Sequence, residues 1–155
     1  MKTKIPFIIG LGQKAAQYRS LSKYLKIIQP DWNNGNFSKL KLGNPSIIIG
    51  FSLGCMIATM HAERHRIKTL ILCSPTPDET LKRIKADHVI FLVGAKEKWV
   101  LKEIKRVKKT LNSTYTIKTV PNAGHKMNVR YQKILLDMIS KNLQNKQGQI
   151  NYFKK

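Results

Sequence analysis

The sequence predicts an α/β domain, a three-layer, doubly wound and mostly parallel sheet of about six strands. Three observations carry this expectation. Short apolar, β-rich runs recur along the chain, most of them apolar at successive positions, as strands covered on both faces must be. Segments of helical periodicity separate several of these runs. The 155 residues fit one domain, large enough to bury roughly 68 to 70% of the surface its unfolded chain exposes.

Taken in order, the strands are "PFIIGL" (6–11), "LKIIQP" (25–30), "SIIIGF" (46–51), "TLILCS" (69–74), "HVIFLVG" (88–94) and "YTIKTV" (115–120). The clearest helices are 56–65, then 100–111 with Val100, Ile104, Val107 and Leu111 on one face, and finally 131–143. Residues 33–45 and 75–87 have room for a short helix at most. The domain is expected to span 1–143, followed by a polar, basic and frayed tail over 144–155. The start, "MKTKIPFIIGLGQKAAQ", imitates a secretory signal, but its apolar run is short, ends in "QK" and has no clear cleavage site, so it reads as the first strand.

Composition narrows the partners. The chain carries 29 Lys and Arg against 8 Asp and Glu, a formal charge of +21, which directs it toward anionic neighbours and says nothing of its fold. Nonspecific contact with anionic lipid or nucleic acid is one expectation; no stable partner is implied. The two cysteines, Cys55 and Cys73, sit in apolar sequence without metal-ligand spacing, so free thiols in a reducing, cytoplasmic setting are expected. No run reaches the 18 or so apolar residues that span a bilayer.

The stretch "IIIGFSLGCM" (47–56) carries the chemistry. Gly50-Phe51-Ser52-Leu53-Gly54 satisfies G-x-S-x-G between a strand and a helix, the context that gives the motif meaning. A serine held in a strained turn clears the sheet edge, and flanking glycines remove the Cβ atoms that would collide there. A hydroxyl needs a base to take its proton and a third group to orient that base. Among four histidines, His125 in "TVPNAGHKM" follows the last strand and shares the carboxyl rim with Ser52. His61 and His65 lie four apart on a helix but have no third metal ligand, and a solvated basic face is the expected reading. His88 begins a strand, at the wrong end.

The acid should stand between serine and histidine in chain order. Glu97, three residues after the strand-closing Gly94, is the first choice. Asp78 in "SPTPDE" is the alternative, whereas Asp87 precedes a strand and belongs to the far end. Two N–H donors are needed for the oxyanion of an acyl-transfer intermediate. Leu53 can supply one, and Leu11, in the "GLGQ" loop after the first strand, the other. In a 2-1-3-4-5-6 strand order, the loops after strands 1 and 3 face each other at the topological switch point.

In these features the chain resembles the α/β-hydrolase family. "IIGLGQ" is similar to its oxyanion loop, "IIIGFSLGC" to its nucleophile elbow, "FLVGAKE" to its acid-bearing strand end and "VPNAGHKM" to its histidine loop. The match covers roughly 5–143, in the family's order of serine, acid and histidine. The resemblance implies a minimal, uncapped member with a triad of Ser52, Glu97 and His125, no cofactor and no metal, hydrolysing an ester, thioester or related acyl bond; such an open site would suit a small substrate or one presented on a surface. Three positions depart from the pattern. Ile9 stands where many relatives have His, Glu97 replaces the usual Asp, and only 75–87 is available for a cap.

Two other readings use the same residues differently. "GLGQKA" fits G-x-G-x-x-A with Asp31 at the spacing of a ribose-binding acid, which would make Gly10 and Gly12 part of a nucleotide-binding module. The lysine-rich "KEKWVLKEIKRVKKTL" and the terminal "NYFKK" would fit a basic binding protein on a hydrolase-like scaffold.

Overall fold

Alternation along the strands sorts their side chains to two faces, and each face finds a helical layer. The computed structural model describes residues 3–37 and 40–152, with side chains to residue 143. Strands β1 (Ile5–Ile8), β2 (Leu25–Ile28), β3 (Ile47–Phe51), β4 (Ile67–Cys73), β5 (Ala86–Gly94) and β6 (Thr114–Val120) form one sheet in the order β2-β1-β3-β4-β5-β6. Every neighbouring pair is parallel. The helices are α1 (Gly54–Arg64), α2 (Lys98–Val107) and α3 (Val129–Tyr152).

Phe7, Ile49, Ile71 and Ile90 form a row in register across four strands. With Phe51 and Leu92 they pack against Tyr131, Leu135 and Ile139 of α3. On the opposite face, Ile8, Ile48, Leu70, Leu72 and Phe91 meet Ile57 and Ala58 of α1 and Val100, Ile104 and Val107 of α2. Each fully buried aliphatic side chain contributes about 1.5–3 kcal/mol, which is why the central strands admit almost no polar residue.

The expected elements are present, with shifted ends. β4 begins at Ile67 and α2 passes into a 3-10 turn over Lys108–Thr110. A kinked 3-10 helix over Ala15–Leu21 was not foreseen, since "AAQYRSL" sends only Tyr18 and Leu21 into the core. The 3-10 helix Glu79–Arg83 is the short element that 75–87 allowed. The last helix runs on to Tyr152, beyond residue 143 where the sequence reading began a frayed tail; the final residues of "NYFKK", 153–155, lie outside the described residues. No described helix is long and apolar enough to cross a membrane. Because all six strands run the same way, the segments after β1, β3, β4, β5 and β6 emerge along one carboxyl edge.

Candidate active site

The elbow forms where β3 stops. Ser52 has φ +54°, a left-handed conformation that costs a β-carbon-bearing residue on the order of 1–3 kcal/mol. It is held there by its amide, which donates to Cys73 O at 2.9 Å, and by its carbonyl, which accepts from the Cys55 amide at 3.0 Å. A Cβ on Gly50 would stand 2.6 Å from Cys55 Cα, and one on Gly54 would overlap the Ile8 carbonyl. Glycine at both places lets the first turn of α1 close onto β1 and β3.

Ser52 Oγ lies 2.7 Å from His125 Nε2, and His125 Nδ1 lies 2.6 Å from Glu97 Oε1. With its proton on Nδ1, the imidazole donates to the carboxylate and leaves Nε2 to accept from the serine hydroxyl. The ring stacks on Phe51, centroids 5.8 Å apart. Its loop is fixed by Asn122, with φ +59°, and by the Lys96 amide donating to Ala123 O at 2.9 Å. The Glu97 side chain is only 6% exposed and that of His125 55%, so the carboxylate is shielded while the imidazole opens to solvent.

Glutamate fits in place of the family's usual aspartate because its longer side chain turns back over its own loop. Glu97 Oε2 accepts from the Gly94 amide at 2.8 Å and from Ser74 Oγ at 2.6 Å. Ser74 was not singled out from the sequence. It directly follows β4, is fully buried, and has φ +46°. Its amide donates to Leu92 O at 2.8 Å, one strand along from the Ser52–Cys73 bond. The Ser74 hydroxyl also lies 2.8 Å from Tyr131 Oη, which donates to Leu92 O at 2.6 Å. Burial, with Cys73 nearby, pushes the Tyr131 phenol far above its ordinary pKa, so it stays a neutral donor. Position was the available signal, since Ser74 relates to β4 as Ser52 does to β3.

Ile9, in place of a histidine, is a fully buried core residue. The loop after it is organised instead by Gln13, whose Oε1 accepts from the Gly10 amide at 2.7 Å while its own amide donates to Gly10 O at 3.3 Å. A Cβ on Gly10 would come within 3.1 Å of Ser52 Cβ. Leu11 therefore follows a residue in contact with the elbow, and Leu53 caps α1 immediately after Ser52. Beside the first turns of α1 a cavity of about 270 Å³ is lined by Met56, Met60, Leu72, Pro75, Pro77 and Leu81, an apolar space that the sequence did not disclose.

The remaining candidates do not join the path from Ser52 to Glu97. Asp78, the alternative acid, caps the Glu79–Arg83 turn, accepting from the Thr80 amide at 2.8 Å. Asp87 pairs with Arg66 at 2.7 Å. His88 meets the Thr114 and Thr116 hydroxyls across the β5–β6 pair. His61 and His65 place their rings 4.5 Å apart on α1, and among the described residues no group of three metal-ligating side chains forms. Cys55 and Cys73 are free and buried, and burial raises both thiols well above their ordinary values. After "GLGQK" the chain enters the kinked 3-10 helix of Ala15–Leu21, so the nucleotide-binding reading lacks the α-helix whose N-terminus holds a pyrophosphate.

No family model and no curated protein matches the sequence. Solved structures do match in shape. A predicted CIB-like hydrolase from Thermoplasma acidophilum superposes with a TM-score of 0.69 at 14% identity, covering 92% of this chain and 86% of that one. The chain has the α/β-hydrolase fold. MGS-MChE2, an α/β hydrolase enzyme from the metagenome of lagoon sediments at Mar Chica, Morocco, gives a TM-score of 0.67 at 12% identity, over 94% of this chain and 93% of its own. Esterase PE8 gives 0.65 at 14% identity, over 90% and 92%. These coverages leave little of either neighbour outside the match.

Proposed function

We propose that the chain is a serine hydrolase of carboxylic esters, thioesters or related acyl bonds, with Ser52 as nucleophile, His125 as general base and acid, and Glu97 as the group that orients and stabilises the imidazole. The continuous path from Ser52 Oγ to His125 Nε2 at 2.7 Å and from Nδ1 to Glu97 at 2.6 Å is the observation that carries this reading.

In the first half-reaction Oγ bonds to the acyl carbon as its proton passes to Nε2, and the carbonyl π pair moves onto oxygen. The amides of Leu53 and Leu11 serve as oxyanion donors in this scheme, each worth about 3–4 kcal/mol of transition-state stabilisation. The oxyanion pair then re-forms the carbonyl, the leaving group departs with the proton from His125, and an acyl-Ser52 ester is left. Water repeats the sequence: His125 takes its proton, the acid is released, and the proton returns to Oγ. No cofactor is required by these steps.

A fluorophosphonate probe followed by peptide mapping tests the assignment. Labelling at Ser52, with hydrolysis of p-nitrophenyl acetate that disappears in Ser52→Ala, is expected; labelling at another residue, or none in folded protein, overturns it.

A further inference from the structure

The rim around Ser52 combines exposed aliphatic and indole side chains with cations. Four large apolar side chains stand in solvent there: Val129 at 83% exposure, Leu11 at 63%, Trp99 at 59% and Met56 at 41%. Each comes from a different segment at the carboxyl edge: Leu11 from the loop after β1, and Met56, Trp99 and Val129 from the first turns of α1, α2 and α3. Single exposed apolar residues are ordinary, but a set of them around an open site marks a contact surface.

The same segments carry Lys14, Lys96, Lys98, Lys126 and Arg130, all exposed. Among the described residues none of these five takes part in an ion pair. The exposed acids in the segments after β2 and β4 are Asp31, Asp78 and Glu79, the second bonded to Thr80 and the third paired with Arg106 and Lys82. Cations beside apolar side chains match a surface that is anionic outside and hydrocarbon within. Nucleic acid fits less well: bases call for stacking aromatics and favour arginine, whereas this rim offers Leu, Met and Val, one well-exposed indole and four lysines to one arginine.

We propose that the carboxyl rim docks on an anionic lipid bilayer, with Leu11, Met56, Trp99 and Val129 entering the headgroup–acyl boundary and Ser52 turned toward acyl groups presented there. The docking rests on the rim alone; the acyl-lipid substrate rests in addition on the hydrolase reading.

The test uses vesicles of phosphatidylglycerol and phosphatidylcholine in equal parts, vesicles of phosphatidylcholine alone, and poly(U) RNA as the competing polyanion. Flotation should show the wild-type chain and Ser52→Ala binding the anionic vesicles equally, not the neutral ones, with affinity falling as salt rises. Tryptophan emission should shift to the blue on binding, and the shift should vanish in Trp99→Ala. The double variant Trp99→Ala/Val129→Ser should lose at least about tenfold in vesicle affinity while hydrolysing soluble p-nitrophenyl acetate at the wild-type rate. Lys98→Gln and Arg130→Gln should each lose about fivefold.

Failure of the wild type to bind anionic vesicles at low salt overturns the docking, as does binding with no change in emission. RNA bound more tightly than vesicles through the same side chains overturns it in favour of a nucleic-acid surface. Vesicle binding without probe labelling of Ser52 sinks the hydrolase reading and leaves the docking standing. Labelling without vesicle binding does the reverse.

Discussion

The two edges of the sheet are made by opposite ends of the same six strands, and they differ in how they treat the backbone and their acids. At the amino edge the acids are paired with arginines. Arg66 pairs with Asp87 at 2.7 Å and Arg83 with Glu63 at 3.4 Å, while His88 rests between two threonine hydroxyls. The exposed rings of Tyr24 and Tyr115 lie under the ammonium groups of Lys23 and Lys108, at 5.3 and 5.6 Å. At the carboxyl edge lie the left-handed non-glycine residues of the described chain, Ser52, Ser74 and Asn122. Ser52 and Ser74 belong to the hydrogen-bonded network around Glu97 and His125, and Asn122 lies in the loop that carries His125. Left-handed backbone collects at the edge where chemistry is proposed, whereas exposed cations outside any ion pair among the described residues stand at both, Lys4, Lys23, Lys85 and Lys109 at the amino edge.

Substitutions can break that contrast. The largest effect is expected from Ser52→Ala, which should lower kcat for an ester substrate by at least about 10⁴-fold with no fall in Tm; a large fall in Tm would mean that the serine serves the fold. Glu97→Gln should follow with a loss of about 10²- to 10⁴-fold, while Asp78→Asn changes turnover by less than twofold. The reverse order would move the acid to Asp78.

Tyr131→Phe sharpens the comparison, since it removes the phenol from Ser74 and Leu92 without emptying the core. Urea unfolding should show a loss of about 1–2 kcal/mol, and kcat should fall about tenfold with KM unchanged. A stability loss with intact kcat would make Tyr131 purely structural. The smallest effect is expected at the other edge: Arg66→Ala breaks a pair whose side chains are 80% and 49% exposed, so stability should move by under about 1 kcal/mol and ester hydrolysis by nothing measurable.

Much of this was legible in the sequence, for physical reasons. Strands covered on both faces must be apolar at consecutive positions, which made "SIIIGF" and "HVIFLVG" stand out. Ser52, Glu97 and His125 each lie within a few residues of a strand's carboxyl end, so assigning the strands located all three on one rim. Tyr131 was invisible because an aromatic residue on the buried face of a helix looks the same whether its hydroxyl is idle or bonded to a serine 57 positions away. Ser74 read as the last residue of a strand. The 3-10 helix of Ala15–Leu21 had too few core residues to show a period, and the extension of α3 past residue 143 runs through "NLQNKQGQINY", where polar composition suited an unstructured tail.

The order of the strands also bears on how function arrives during folding. The hydroxyl comes off β3, the buried serine off β4, the carboxylate off β5 and the imidazole off β6, joined by crossovers instead of hairpins. No hairpin-sized fragment contains even two of these groups in register, and parallel pairing over such separations is slow to form. Recovery of activity on dilution from denaturant should therefore trail the recovery of helical signal, and its time course would report when the last strand, β6, reaches its place.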